Sequence, residues 1–93
     1  IATHLAETWR AIQEGADVRG YYHWTLVDNF EWTAAWALKF GLYSLDLETG
    51  ARTARPSAAL YAQIAQANGV PRRLLAAVAP DYALKPIGDG RPA

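Results

Sequence analysis

An α/β chain is predicted by three observations. Apolar residues recur at Ile1, Leu5, Trp9 and Ile12, the spacing of one helical face. A short aromatic and β-branched run follows, YYHWTLV over Tyr21–Val27, without strict alternation. A second helical pattern opens at Pro56. Helix, short loop and buried strand make an αβ unit, and the second helix extends it to αβα.

Each element has its local signal. The first helix runs over Ile1–Gln13 with His4, Glu7, Arg10 and Gln13 turned away from the core, and Gly15 supplies its left-handed cap. Asp17 and Gly20 are turn residues. Tyr21–Val27 suits a parallel strand covered on both faces, because a strand exposed on one face would alternate. A long excursion then runs from Asp28, and long loops with internal structure are usually functional. Its later part predicts an extended run over Gly41–Asp46, a turn at Glu48-Thr49-Gly50 and a returning arm over Ala51–Ala54. Pro56 in a first turn starts the second helix, with Leu60, Tyr61, Ile64 and Ala65 as its buried face and Asn68-Gly69 as its end. Pro71 starts a short helical turn through Val78. Prolines and glycines dilute the pattern from Pro80, so residues 71–93 are expected to form a loosely held extension.

The chain has 93 residues, 52% of them hydrophobic and 19% charged, enough core-type residues for one small domain at most. Nine basic residues balance nine acidic ones and are scattered, so nucleic acid is not an expected partner. Cysteine is absent, which removes disulfides and thiolate chemistry, and the two isolated histidines make no metal site. No metal or other cofactor is expected. The apolar runs fall short of the roughly 20 residues of a membrane span, so no membrane is expected as a partner. With no basic and apolar leader visible, a cytoplasmic placement is expected. The helical pattern is already running at Ile1 with no cap ahead of it, and the chain holds no methionine. Both features suggest a piece of a longer protein.

The most informative stretch is GYYHWTLVDNFEWTAAWALKFG, Gly20–Gly41, which holds three of the four tryptophans and sets Glu31 beside Trp32, seven positions after Trp24. A sugar offers an apolar ring face edged by hydroxyls. Its site needs an aromatic platform, an acceptor able to take two hydroxyls, and a donor. Trp24, Glu31 and Trp32 supply those three. Spacing alone favours Trp24 as a core aromatic and Glu31 as a solvated or capping carboxylate. Asp28 and Asn29 suit local side-chain to backbone bonds in the loop, and His23 alternates away from Trp24, into packing or into support behind the site rather than catalysis.

The order of these residues resembles a known family. GYYHWTLVDNFEW, KFGLYSLD and RTARPSA are similar to the C-terminal end of family one glycoside hydrolases, the β-glucosidase and β-galactosidase family, whose wording runs close to GYFxWSLLDNFEW, RFGLxxVD and RTPKxSA. The resemblance extends from the first helix through about Asn68. It implies the C-terminal portion of a (β/α)₈ TIM barrel: helix 7, strand 8, the long active-site loop 8 and helix 8, incomplete as a barrel on its own. Residues 1–70 would be the last αβα segment, with the loop at the face where barrel enzymes build their sites.

Carried over by motif, Trp24 looks like the indole beneath the sugar, Glu31 like the acceptor from the 4- and 6-hydroxyls, and Trp32 like the donor to the 3-hydroxyl. Phe40 resembles an aromatic wall near C6. The implied substrate is a β-glucoside or related β-glycoside, unphosphorylated because Glu31 would repel a 6-phosphate, and the remainder of the barrel is needed to complete the site. Two departures stand out: Ala35-Trp36 where Gly-Tyr is common, and Lys39 where arginine is usual. The family's two catalytic carboxylates lie in Thr-Glu-Asn-Gly-like and Asn-Glu-Pro segments, and neither occurs here, so no catalytic residue is assigned. A freestanding sugar-binding piece would also explain the aromatics, although such modules are mostly β-sandwiches and this chain carries helical patterns. An inactive truncated remnant is the third reading.

Overall fold

Both long helices end in the same way. The computed structural model describes residues 1–88. Helix α1 spans Ala2–Gln13. Gly15 adopts φ +102°, the Gly15 N–H donates to the Ile12 carbonyl at 3.0 Å, and the Ala16 N–H reaches back to Ala11 at 3.0 Å. Helix α2 spans Pro56–Ala67, and Asn68 at φ +51° repeats the pattern, with Asn68 N–H donating to Ala65 at 3.3 Å and Gly69 N–H to Ile64 at 3.2 Å. This paired arrangement satisfies carbonyls that a helix end leaves orphaned. A third helix, α3, spans Arg72–Val78 and starts from the Pro71 carbonyl, which accepts from Leu74 and Leu75.

The described backbone forms two compact units. Among the described residues the first comprises 1–21 and 64–88. Its core is Ala2, Ala6 and Leu75, with Val70, Ala79, Tyr82 and Leu84 packed against them. The face of α1 that packs is therefore not the one its large apolar residues predict. Ile1 and Leu5 are half-buried, Trp9 and Ile12 are exposed, and the small side chains at Ala2 and Ala6 sit against Leu75. Small residues permit a close approach, and Leu75, buried there, gains about 1.5–3 kcal/mol of transfer free energy.

Glu7, Arg10 and Gln13, expected to turn away, are half-buried. The Tyr82 hydroxyl donates to Glu7 Oε1, Arg10 bridges Glu7 at 3.0 Å and Glu14 at 2.9 Å, and the Gly88 N–H donates to Glu14 Oε1 at 2.8 Å. Residues 71–88 thus supply Leu75, Tyr82 and a buried Ile87 to this unit. The rest of the expected extension, 89–93, lies outside the described residues.

The second unit comprises residues 22–63. Strands β1, Tyr43–Leu45, and β2, Arg52–Ala54, pair antiparallel with Tyr43 opposite Ala54 and Leu45 opposite Arg52. Their turn is set by Asp46, whose Oδ1 accepts the N–H groups of Glu48 at 2.9 Å and Thr49 at 3.3 Å, and by Gly50 at φ +74°. These backbone donors hold the Asp46 carboxyl below its ordinary pKa. The hairpin therefore follows the sequence expectation.

The strand expected over Tyr21–Val27 is corrected. The segment is extended, and alternate side chains point to alternate sides, but its ladder is confined to Thr25–Val27 against residues 40–43. Thr25 N–H donates to Phe40 at 3.2 Å, Leu42 N–H to Thr25 at 2.9 Å and Tyr43 N–H to Leu26 at 2.9 Å, with one parallel bridge at Val27 and Tyr43. Nor is it covered on both faces: Tyr22 is 94% exposed, and Trp24 and Leu26 are exposed beside it. A doubly buried parallel strand requires neighbours on each edge and layers on both faces. Among the described residues one edge alone is paired. On the half-buried side His23 stacks at a tilt on Tyr61 of α2, ring centroids 5.9 Å apart, as its packing role predicts. Ala65, expected on the buried face of α2, is exposed, whereas Leu60 and Tyr61 are half-buried and Ile64 is buried.

Candidate functional site

Within the second unit the backbone turns tightly after the extended segment. Asn29 Nδ2 donates to the Val27 carbonyl at 3.3 Å, the local bond expected of it. A short 3₁₀ turn, Trp32–Ala34, is closed by Glu31 N–H donating to Ala35 at 2.8 Å and Ala34 N–H donating to Glu31 at 2.9 Å. Trp32 at φ +48° and Ala35 at φ +50° both lie in the left-handed region that favours glycine. Ala35, with ψ −122°, occupies the first central position of a turn closed by Ala37 N–H and the Ala34 carbonyl at 3.0 Å. Those angles define a type II′ turn, whose first central position belongs to glycine. Phe30 meets Trp36 edge to face at 6.0 Å.

This turn carries Glu31 back to the extended segment. Trp24 Nε1–H donates to Glu31 Oε1 at 2.9 Å, joining the expected platform to the expected acceptor. The Trp24–Thr25 peptide is cis. The Trp24 indole is 64% exposed, Trp32 is 88% exposed and Phe40 is 45% exposed. Among the described residues Trp32 and Phe40 make no ring contact or side-chain hydrogen bond, so the structure brings together Trp24 and Glu31 and leaves the other two presented to solvent. An aromatic face fixed beside a carboxylate can take the apolar side of a ring and accept from its hydroxyls.

Asp28 corrects the expectation of a purely local role. It is 5% exposed and its two oxygens are held by Arg55, Nη1 to Oδ1 and Nη2 to Oδ2, each at 2.7 Å. Oδ1 also accepts the Gly41 N–H at 2.9 Å, and Arg55 Nη1 donates to the Gly41 carbonyl at 2.6 Å. The Arg55 guanidinium, aided by the Gly41 N–H, outweighs burial and lowers the Asp28 pKa to about 2. Asp28 is thus ionised and fully engaged, unsuited to serve as nucleophile or proton donor. What it does is tie the start of the loop to its end and to the residue ahead of α2. Sequence reasoning missed Arg55. The available signal was an arginine immediately before the helix-starting proline, within the RTARPSA segment.

No group of three or more His, Asp or Glu among the described residues is placed to hold a metal ion. No helix among them is long and apolar enough to cross a membrane.

Comparison with known proteins gives one consistent result. The family described as glycosyl hydrolase family 1 matches residues 1–70. A β-galactosidase of Sulfolobus acidocaldarius is 43% identical over 74 residues, which are 80% of this chain and 15% of that protein. Beta-glucosidase 47 of Arabidopsis thaliana is 46% identical over 61 residues, 66% of this chain and 11% of its own length. Among solved structures, the hyperthermophilic β-glucosidase of Pyrococcus furiosus superposes with a TM-score of 0.78 at 44% identity, covering 81% of this chain and 16% of that one. The β-glycosidase of Thermosphaera aggregans gives a TM-score of 0.75 at 44% identity, over 78% of this chain and 15% of that one. The chain therefore spans between 11% and 16% of the length of these relatives.

Proposed function

The chain belongs to glycosyl hydrolase family 1, and from that premise we propose that the protein carrying it is a retaining β-glucosidase, hydrolysing terminal β-D-glucosyl residues from β-glucosides. In this reading α1 is the seventh barrel helix, the extended segment around Trp24 is the eighth strand, residues 28–55 are loop 8 and α2 is the eighth helix. The chain supplies part of the subsite for the non-reducing sugar and none of the chemical machinery.

The observation that carries this reading is the hydrogen bond from Trp24 Nε1 to Glu31 Oε1 at 2.9 Å, which sets an exposed indole beside a carboxylate with the exposed Trp32 next to it in sequence. Trp24 lies beneath the sugar ring, Glu31 accepts from the 4- and 6-hydroxyls, Trp32 donates to the 3-hydroxyl and Phe40 walls the C6 side. A carboxylate facing C6 repels a 6-phosphate, at roughly 4 kcal/mol per pair of unit charges 4 Å apart in a partly solvated site, so the preferred sugar is unphosphorylated.

Retaining hydrolysis needs two carboxyl groups roughly 5–5.5 Å apart, one attacking the anomeric carbon and one protonating the leaving oxygen. Asp28, locked on Arg55, is neither. The nucleophile and the acid come from the remainder of the barrel. Glu31 and its indole neighbours act by differential binding: contacts to hydroxyls tighten as the ring flattens toward the oxocarbenium-like transition state.

The test is hydrolysis of an aryl β-glucoside by the polypeptide as its source makes it, wild type against Glu31→Ala. Loss of two hydrogen bonds to a charged group, each worth about 1.5–3 kcal/mol, predicts a fall in kcat/KM of about 10²–10⁴-fold. Activity within a few-fold of wild type would overturn the assignment of Glu31.

A further inference from the structure

The bond between Trp24 and Glu31 has a consequence for how the carboxylate is presented. Glu31 has two oxygens and about four lone-pair sites. The indole N–H occupies one of them on Oε1, and Oε2 has no hydrogen-bond partner among the described residues. At 2.9 Å the contact lies within the range of a charge-assisted bond. A free glutamate side chain turns about three bonds, and a sugar would have to halt that motion on binding. Here one end of the carboxylate is held before any ligand arrives, by a ring seven residues away. The backbone on the Glu31 side is held as well, because its N–H and carbonyl are both used within the 31–35 turn.

We propose that Trp24 is a positioning residue for Glu31 in addition to being a platform: its indole N–H fixes the direction of the carboxylate, so that Oε2 and the remaining lone pair of Oε1 meet two neighbouring hydroxyls of one sugar at once. This rests on the β-glycosidase reading and deepens it. The ring face and the acceptor form a single preorganised unit, and the orientation cost is met in the free protein. Selectivity for a sugar bearing both hydroxyls then depends on an indole nitrogen as well as on the carboxylate.

The test has two arms, both on the full-length protein. In the first, the tryptophan indole N–H groups are labelled with ¹⁵N, the Trp24 resonance is assigned by its loss in Trp24→Phe, and its position is compared between wild type and Glu31→Ala. A downfield resonance in wild type that moves upfield in Glu31→Ala is expected. A resonance that does not move overturns the proposal, and this arm needs no activity. The second arm measures kcat/KM of Trp24→Phe, which keeps an aromatic face and loses the N–H, on an aryl β-glucoside and on its 4-deoxy and 6-deoxy counterparts.

Weaker stacking lowers all three values alike, whereas loss of positioning falls on the parent sugar. The penalty on the parent sugar is expected to exceed that on the deoxy sugars by about 10-fold or more, the equivalent of one bond to a charged acceptor. Equal penalties overturn the positioning role even if the indole bond is present. If wild type hydrolyses no β-glycoside, the functional reading falls and the positioning role with it, and the indole resonance still decides whether the bond exists. Should Trp24→Phe fail to fold, Trp24→Tyr carries the same comparison.

Discussion

Replacing Gly41 by alanine would place a methyl carbon where backbone already stands. The added Cβ would lie 2.3 Å from the Asp28 nitrogen, 2.5 Å from the Tyr43 carbonyl oxygen and 2.7 Å from Asp28 Oδ1. Ordinary contact begins near 3.4 Å, so relief requires about 1 Å of movement, and the two nearest atoms are backbone rather than the ends of flexible side chains. Movement on that scale carries the Asp28 N–H bond to Tyr43, now 3.1 Å, beyond hydrogen-bond range. Overpacking costs about 1–3 kcal/mol and one backbone hydrogen bond about 1 kcal/mol, giving roughly 2–4 kcal/mol in all.

Urea denaturation followed by near-ultraviolet circular dichroism reads this directly. With m near 1–3 kcal/mol per molar, the midpoint is expected to fall by roughly 1 M or more. Gly50→Ala is the control: its Cβ meets nothing within 4 Å, and φ +74° alone costs about 1–2 kcal/mol. If Gly41→Ala shifts the midpoint no more than Gly50→Ala, the close approach of Gly41 to Asp28 is refuted.

Three further outcomes follow from the same geometry. Ala35→Gly should stabilise the protein by roughly 1 kcal/mol, because glycine removes the penalty of φ +50° and pays part of that back in unfolded-chain freedom; a lower denaturation midpoint would contradict the type II′ turn. The Asp28 pKa of about 2 lies below its ordinary value of 3.8, so the unfolded chain binds the proton more readily; the contribution to stability is present above about pH 4 and is lost as pH falls toward 2. Arg55→Lys, which cannot form the two-pronged contact, should flatten that acid limb in denaturation midpoints taken from pH 2 to pH 6. Tyr82 and Arg10 lower the Glu7 pKa, and Glu7 raises that of Tyr82; Tyr82→Phe should therefore reduce stability at neutral pH, shrink the acid limb from Glu7 to the part Arg10 sustains, and remove the alkaline limb above pH 10 from Tyr82, measured as midpoint against pH.

The features legible in the sequence are those encoded by a few neighbouring residues. Gly15 and Asn68-Gly69 mark helix ends because left-handed backbone is cheap there, Pro56 starts a helix, and the Asp46 to Gly50 turn is written in its own side chains. The packing face of α1 was not legible. Periodicity points to the large residues Ile1, Leu5, Trp9 and Ile12, while α3 settles on Ala2 and Ala6, a choice made by a partner helix sixty residues and more downstream. Nor was the Asp28–Arg55 pair legible: the arginine before Pro56 is a local signal, but nothing near it in sequence names a partner 27 positions away. For the site, spacing favours Trp24 as core, and the resemblance to the glycoside hydrolase family favours a platform; the structure leaves the indole exposed and bonded to Glu31.

The lengths of these ties bear on the order in which the chain becomes ordered. Every bond that shapes the Trp24–Glu31 loop closes within the 27 residues from Asp28 to Arg55 or less. The bond from Tyr82 to Glu7 closes a loop of 75 and that from Gly88 to Glu14 a loop of 74. Chain-closure entropy makes the longer loops more costly by roughly 1 kcal/mol. On a ribosome the Trp24–Glu31 loop has the partners of these bonds once Arg55 has emerged, whereas α1 waits until Leu75 and Tyr82 have followed. The Trp24–Glu31 loop is thus a locally wired element, and the seating of α1 against Tyr82 and Gly88 is the longer-range step.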